Sequence, residues 1–173
     1  MTTTLETSAA QPAGKSTRDS RRLSAGEATR SLPLPQLPYA DAVHAALTEA
    51  RITPDVVEAG LRNEQPRNPR SRPELFLRLV WLPDHAAVAA AAEEDGLTLR
   101  WSGVTGWSAH NHADARLLPV DALADPALIV DAARHYARHG LTKDWVHPFQ
   151  ARWSEAVYLD IALVKFDERE GLL

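Results

Sequence analysis

The sequence predicts an α+β fold in which an antiparallel sheet of three to four strands carries helices on one face. The first observation is the alternation of apolar and polar residues over 74–82 and 97–112, which is typical of half-buried strands. The second is a helical pattern over 126–139 with capping residues at both ends. The third is an ordinary globular composition, 45% hydrophobic and 24% charged in 173 residues. Together they predict one domain over 39–173.

The N-terminal segment 1–38 is predicted to be a disordered arm. It is rich in Thr, Ser, Ala, Pro and Arg and has few large apolar side chains, so it cannot bury enough surface to offset the entropy of ordering. Its last part, 32–38, contains closely spaced prolines that favour an extended, polyproline-like spacer. We therefore expect deletion of 1–36 to leave the stability of the fold unchanged.

A helical hairpin over 39–62 is expected to precede the sheet. Apolar residues between 43 and 50 recur at helical spacing and define the first helix. Thr53-Pro54 is typical of a helix start, with a capping residue followed by proline at the first helical position, and it predicts a second, short helix. The arginine- and proline-rich segment 63–73 should then form a loop that leads into the sheet.

From residue 74 onwards, the order β-α-β-β-α-β of a ferredoxin-like fold is the best fit. The strand over 74–82 is followed by an alanine-rich helix from Asp84 to Asp95, which Gly96 closes. The hairpin over 97–112 should place Trp101 opposite Trp107 and sort its apolar side chains onto one face. This fold supports many unrelated functions, so it does not select one.

The last element, residues 156–166, is compatible with two structures. As a strand it places Val157, Leu159, Ile161 and Leu163 on one face. As a helix it divides its apolar residues between opposite sides. The strand is preferred here, and it completes the ferredoxin-like order.

One combination of features resembles a known family. It consists of a helix over Tyr39–Leu47, the motif Leu99-Arg100-Trp101 followed by Gly106-Trp107, the pair Leu118-Pro119, and a helix that begins at Pro126. In this the chain resembles a family of small, uncharacterised actinobacterial proteins with a leading helix and an L-x-W…G-W hairpin. The resemblance covers part of the chain, and it implies no activity, cofactor or site residue.

Several classes of protein are excluded by composition and motif. The chain has no cysteine, which excludes disulfide scaffolds, thiolate metal sites and cysteine nucleophiles. It also lacks a phosphate-binding glycine motif and a G-x-S-x-G nucleophile motif. No apolar run is long enough for a membrane span, and the N-terminus lacks the pattern of a signal peptide. We expect a cytoplasmic protein without cofactor or membrane contact.

A metal-dependent hydrolase is one alternative function. His110, His112 and Asp114 match the H-x-H-x-D part of the ligand motif in binuclear metallohydrolases. In such a site a metal-bound water would be the nucleophile. However, Ala115 stands where those enzymes have another His, and three or four converging ligands are required. A polar, solvated strand end is the simpler interpretation.

A second histidine pair lies on the helix over 126–139. His135 and His139 have the H-x3-H spacing of zinc proteases, but Tyr136 replaces the glutamate that follows the first histidine in those enzymes. Arg134 and Arg138 share the exposed face and would repel a cation. We therefore expect no tight metal site here.

Aromatic residues near the C-terminus suggest a protein-binding surface. Trp145, Phe149 and Trp153 lie close together in an irregular stretch, and exposed aromatic side chains in loops are typical anchors of protein interfaces. The alternative is that they cover one end of the sheet. The preferred function is a non-enzymatic module that binds a protein partner through these residues. This function requires at least one of the two tryptophans to be exposed.

Binding of nucleic acid is the other alternative. The basic residues of the arm and of the loop could follow a phosphate backbone, although the net charge of −4 argues against a generally basic surface. The candidate residues are Arg18, Arg21, Arg22, Arg62, Arg67, Arg70 and Arg72.

Overall fold

The computed structural model describes residues 34–62, 73–89 and 96–170. This part of the chain contains three helices and five strands, and it confirms the α+β class. In chain order the elements are α1 (Leu37–Glu49), β1 (Val56–Arg62), β2 (Glu74–Trp81), β3 (Leu97–Ser102), β4 (Gly106–His110), β5 (Ala115–Leu117), α2 (Pro126–His139) and α3 (Ala156–Arg169).

The strands form a single antiparallel sheet in the order β1-β2-β3-β4-β5, so every strand pairs with its neighbour along the chain. The predicted hairpin is confirmed, with Trp101 directly opposite Trp107. The predicted alternation in β2 is also confirmed, because every second side chain from Leu75 to Trp81 is buried. These rows of buried side chains form the apolar face of the sheet.

The sheet departs from the ferredoxin-like prediction. It has five strands instead of three to four, and the described elements run α-β-β-β-β-β-α-α. Residues 83–89, where the alanine-rich helix was expected to begin, form turns, and 90–95 lie outside the described residues. Gly96 serves the turn into β3, since it has φ +65° and a Cβ there would lie 2.5 Å from the carbonyl oxygen of Trp81.

The second helix of the predicted hairpin is wrong, because its residues form β1. Val56 and Val57 are β-branched and suit a strand, and pairing with β2 satisfies the backbone of this segment. The N–H of Asp55 donates to the carbonyl of Val80 over 2.8 Å, and its Oδ2 accepts from the N–H of Leu82 over 2.8 Å. Asp55, the residue after Thr53-Pro54, therefore joins the start of β1 to the end of β2 and does not begin a helix.

The strand preferred for 156–166 is also wrong, and the helical alternative is correct. Ala156, Leu159, Ala162 and Phe166 of α3 are buried, at the spacings of three and four that one side of a helix requires. Leu163 packs against this core. The alternation of apolar residues in this segment therefore reflects two separate apolar sides of a helix.

The fold begins before residue 39. Helix α1 starts at Leu37, with a proline in its first turn, and Leu34 packs against the core. Gln36 is only 1% exposed, and its Nε2 donates to the carbonyl of Gly60 over 2.8 Å, which ties α1 to β1. The extended spacer is therefore wrong for 34–38, and deletion of 1–36 would remove buried contacts. Residues 1–33 lie outside the described residues.

Tyr39 of α1 connects the helices to the apolar face of the sheet. Its ring meets Trp101 and Trp107 edge-on, with centroids 6.1 and 6.2 Å away, and the ring of Trp153 lies 5.1 Å away. Its hydroxyl donates to the carbonyl of Ala124 over 2.7 Å and accepts from Nε1 of Trp107 over 3.0 Å. Burial raises the pKa of Tyr39 well above its usual value, so the hydroxyl stays protonated as a donor.

Candidate functional site

Both tryptophans that the sequence suggested as partner anchors belong to the interior. Trp145 is 6% exposed and Trp153 is 7% exposed, so the prediction that at least one is exposed is wrong. Nε1 of Trp145 donates to Oδ2 of Asp131 over 2.8 Å, while Trp153 packs on Tyr39. Phe149 is 47% exposed, and it alone of the three is available to a partner. The irregular stretch between α2 and α3 therefore folds back against the core and contributes Trp145 and Trp153 to it.

The candidate metal ligands lie at the turn between β4 and β5. His110 ends β4, and its Nε2 is 2.8 Å from Oγ of Ser108. Burial lowers the pKa of His110, and the positive charges of Arg100 and Arg62 lower it further. His112 and Asp114 are exposed residues of the turn. Within the described ranges, no group of three or more His, Asp or Glu side chains is arranged to hold a metal ion.

Arg62 is the one candidate nucleic-acid-binding residue that falls in the described ranges. It ends β1, where its Nη2 forms an ion pair with Oε2 of Glu74 over 3.0 Å, and its guanidinium lies 5.6 Å from the ring centroid of Phe76. The other candidates lie outside the described residues, namely Arg18, Arg21, Arg22, Arg67, Arg70 and Arg72.

A feature that the sequence analysis did not select is the outward side of α3. Val157, Ile161 and Val164 are 55%, 46% and 50% exposed. With about 100° of rotation per residue, the spacings of four and three place them within an arc of roughly 60°. This outer stripe lies opposite the side that carries buried Leu159 and Phe166. Helix α3 is therefore apolar on two opposite sides.

Charged and polar residues border the outer stripe. Helical geometry places Asp160 and Asp167 along one side, and Tyr158 and Lys165 along the other. Exposed Glu168 follows one turn after Val164 and ends the stripe. The outer stripe thus has one acidic border and one border that carries a lysine.

The start of α3 is held in place by an arginine that precedes it. Nη2 of Arg152 pairs with Oδ2 of Asp160 over 3.0 Å, and its Nε pairs with Oδ2 of Asp121 over 3.0 Å. These two hydrogen bonds raise the pKa of Arg152. The N–H of Trp153 also donates to the carbonyl of Leu123 over 2.8 Å. The segment before α3 is therefore joined to the segment before α2. These contacts fix the orientation of α3 and thus the direction in which the outer stripe faces.

The edge strand β1 exposes further apolar side chains. Val57 is 40% exposed and Leu61 is 46% exposed, and they lie opposite Leu79 and Leu75 on the apolar face of the sheet. Leu163 of α3 lies near the same end of the sheet. If Gly103 carried a Cβ atom, that atom would lie 3.7 Å from Cδ2 of Leu163 and 3.8 Å from Cβ of Leu75. Exposed apolar residues are thus present on both α3 and β1.

Comparisons with protein-family models, with curated proteins and with solved structures found no match to this chain. Among the helices of the described residues, none is long and apolar enough to cross a membrane. The geometry of the described surface is therefore the guide to a function. The sequence contained one signal for the outer stripe, namely the division of apolar residues between opposite sides when 156–166 is drawn as a helix.

Proposed function

We propose that this protein is a non-enzymatic protein-binding module that receives an amphipathic helix of a partner on the outer stripe of α3. The observation that carries the proposal is that Val157, Ile161 and Val164 stay about half exposed, while the opposite side of the same helix is packed in the core. A helix on the surface of a protein usually has one apolar side and one polar side. An apolar second side is typical of a helix that another element covers.

The size of the outer stripe limits what it can do alone. Complete burial of a Val or Ile side chain is worth about 1.5–3 kcal/mol, so three half-exposed side chains offer about 3 kcal/mol to a partner. Association costs about 4 kcal/mol or more in lost translational and rotational freedom. The partner must therefore also contact the charged borders of the stripe or neighbouring apolar residues.

The borders indicate the chemistry of the partner. A basic side chain on the bound helix would face Asp167, because Asp160 is already paired with Arg152, and an acidic side chain would face Lys165. Between them, the bound helix would present apolar residues at spacings of three and four, as in other recognition by a helix. We therefore infer a partner helix with an apolar stripe, one basic border and one acidic border.

Rigidity of the site also favours binding. Val157, Ile161 and Val164 are all β-branched, so each has few side-chain rotamers to lose when a partner covers it. The ion pairs of Arg152 with Asp160 and Asp121 hold the beginning of the helix. A surface that is ordered before binding loses less entropy on association.

The test is site-specific photo-cross-linking with the full chain in its native cells. A photoreactive phenylalanine analogue replaces Val157 or Val164, and a control carries it at Val104, which is 78% exposed in the turn between β3 and β4. We expect one protein other than this chain to be cross-linked from both α3 positions and not from the control. Ile161→Asp should abolish the cross-link while the melting temperature stays unchanged.

Two results would contradict the proposal. One is that the control position at Val104 captures the same proteins as the two positions on α3. The other is that only a second copy of this chain is captured from α3, which would make the outer stripe a surface for self-association.

Binding of single-stranded nucleic acid is the second candidate function, and the opposite face of the sheet favours it. Arg78 and Arg100 lie directly opposite each other in β2 and β3, and Arg62 lies over Phe76 on the same face. Arginine and aromatic side chains together suit phosphates and bases. The candidate ranks second because Arg62 and Arg78 form ion pairs with Glu74 and Glu58.

Titration of a fluorescent single-stranded oligonucleotide at low and high salt tests this candidate. Binding that weakens steeply with salt and is reduced by Arg78→Ala would support it. A dissociation constant weaker than the millimolar range at low salt would exclude nucleic-acid binding.

A further inference from the structure

A second surface feature lies on the outer side of α2, a different helix from the one that carries the outer stripe. It is a surface pocket of about 300 Å³ between α2 and the stretch that follows it. Four basic side chains of α2 line it, namely Arg134, His135, Arg138 and His139, and Trp145 forms part of the wall. Pockets for small ligands begin at about this volume.

Positive charge is concentrated in this pocket. The rings of His135 and His139 meet edge to face, with centroids 5.0 Å apart. Desolvation lowers the pKa of His139, and the positive charges of Lys143, His135 and Arg138 lower it further. Asp131 is the one carboxylate among the lining residues, and its Oδ2 accepts a hydrogen bond from Nε1 of Trp145. One carboxylate therefore stands against the guanidinium groups of Arg134 and Arg138, and the pocket keeps a net positive charge.

Two of the basic residues are already positioned by the surrounding backbone. Nη2 of Arg134 donates to the carbonyl of Ala50 over 2.9 Å, at the end of α1. Nε2 of His135 lies 3.3 Å from the carbonyl oxygen of Lys143. Arg138, which is exposed, forms no ion pair with another described residue, so its guanidinium is available to a ligand.

The stability of the helix explains part of this cluster and not the rest. Arg138 and His139 occupy the last turn of α2, where positive charge interacts favourably with the helix dipole. Arg134 and Arg138, however, are four residues apart, and like charges at that spacing destabilise a helix. Lys143, which follows the helix, adds further positive charge close to His139. A bound anion would offset this repulsion.

We propose that this pocket binds a small ligand through a phosphate group, with Arg138 and His139 as the principal contacts. A guanidinium can hold two phosphate oxygens at once, and a protonated histidine adds a charge-assisted hydrogen bond. Val146, which is 82% exposed, gives the remainder of the ligand an apolar surface. The site is independent of the proposed protein-binding function, because it uses another helix.

Titration of the full chain with inorganic phosphate, followed by NMR of the histidine ring protons, tests this proposal. We expect saturable shifts of His135 and His139 and a rise in the pKa of His139, because a bound anion favours its protonated form against the positive charges of Lys143 and Arg138. Arg138→Ala should weaken binding about tenfold, the loss expected for a charge-assisted hydrogen bond. Arg138→Lys should restore part of it.

Arg169→Ala, which removes an exposed arginine at the end of α3, is the matched control and should bind phosphate like the unchanged protein. Acetate and chloride at equal ionic strength should produce no saturable shift. The proposal is wrong if phosphate shifts the ring protons without saturation, if acetate or chloride acts equally, or if Arg138→Ala binds as tightly as the control. A thermal melt of each variant verifies that it is folded.

Discussion

Helices α2 and α3 are both 14 residues long, but their outward sides are different. Helix α2 buries Leu128, Ile129 and Tyr136 and turns Arg134 and Arg138 outward. Helix α3 buries an apolar side of its own, yet its outward side carries the stripe of Val157, Ile161 and Val164. The outward side of α2 carries exposed arginines, whereas that of α3 carries half-exposed apolar side chains.

The N-terminal ends of the two helices also differ. Asp125 caps α2, and its Oδ1 accepts a hydrogen bond from the N–H of Ala127 over 2.8 Å. Glu155 precedes α3 and forms no capping hydrogen bond through its side chain. Helix α2 is therefore stabilised by local signals, while α3 depends on packing. The two helices thus differ both in how they begin and in what their outward sides expose.

The largest expected effect concerns the inward side of α3. Leu159 is fully buried, so Leu159→Ala should lower the free energy of unfolding by about 2–5 kcal/mol through lost burial and the cavity left behind. Urea denaturation measures the change. Ile161→Ala on the outer stripe is the control, and it should cost less than about 1 kcal/mol. Equal losses in the two variants would show that the outer stripe is packed in the protein by itself.

An intermediate effect is expected from the helix caps. Asp125→Ala should lower the free energy of unfolding by about 1 kcal/mol, because the N–H of Ala127 loses its acceptor. Glu155→Ala should change it by less than about 0.5 kcal/mol, since no capping hydrogen bond is removed. The measurement is the midpoint of urea denaturation at constant slope. A larger loss for Glu155→Ala would reverse the contrast between the two helices.

The smallest expected effect is that of Val164→Thr. The substitution keeps the shape of the side chain and adds a hydroxyl on a half-exposed position, so the free energy of unfolding should change by less than about 0.5 kcal/mol. Retention on a hydrophobic-interaction column should nevertheless decrease, because the outer stripe becomes more polar. Unchanged retention would mean that the stripe is not accessible in solution.

Sequence reasoning succeeded where local signals and packing agree. In the hairpin of β3 and β4, alternation places Leu99 and Trp101 on one face, and the turn fixes the register that brings Trp101 opposite Trp107. In α2, the cap at Asp125, the helical spacing of apolar residues and Gly140 all indicate the same helix. Each of these elements could be predicted because no long-range contact was needed to choose its structure.

It failed where a local signal has more than one meaning. Thr53-Pro54 is as suitable before an extended segment as before a helix, and only pairing with β2 decides in favour of β1. The apolar residues from Val157 to Leu163 satisfy a strand pattern as well as a helix with two apolar sides. Trp145 and Trp153 are buried because the stretch around them folds back on the core, which spacing along the chain does not reveal.

The order of the sheet has a consequence for how the protein is made. Because the strands pair in chain order, contacts between neighbouring strands can form as each new strand leaves the ribosome. The hydroxyl of Tyr39, by contrast, bonds to the carbonyl of Ala124, 85 residues further along. Helix α1 is synthesised before every strand of the sheet, yet it must wait for the start of α2 before its buried side is complete. Until the segment before α2 is synthesised, the hydroxyl of Tyr39 lacks its acceptor, and the buried side of α1, which includes Val43 and Leu47, is only partly covered.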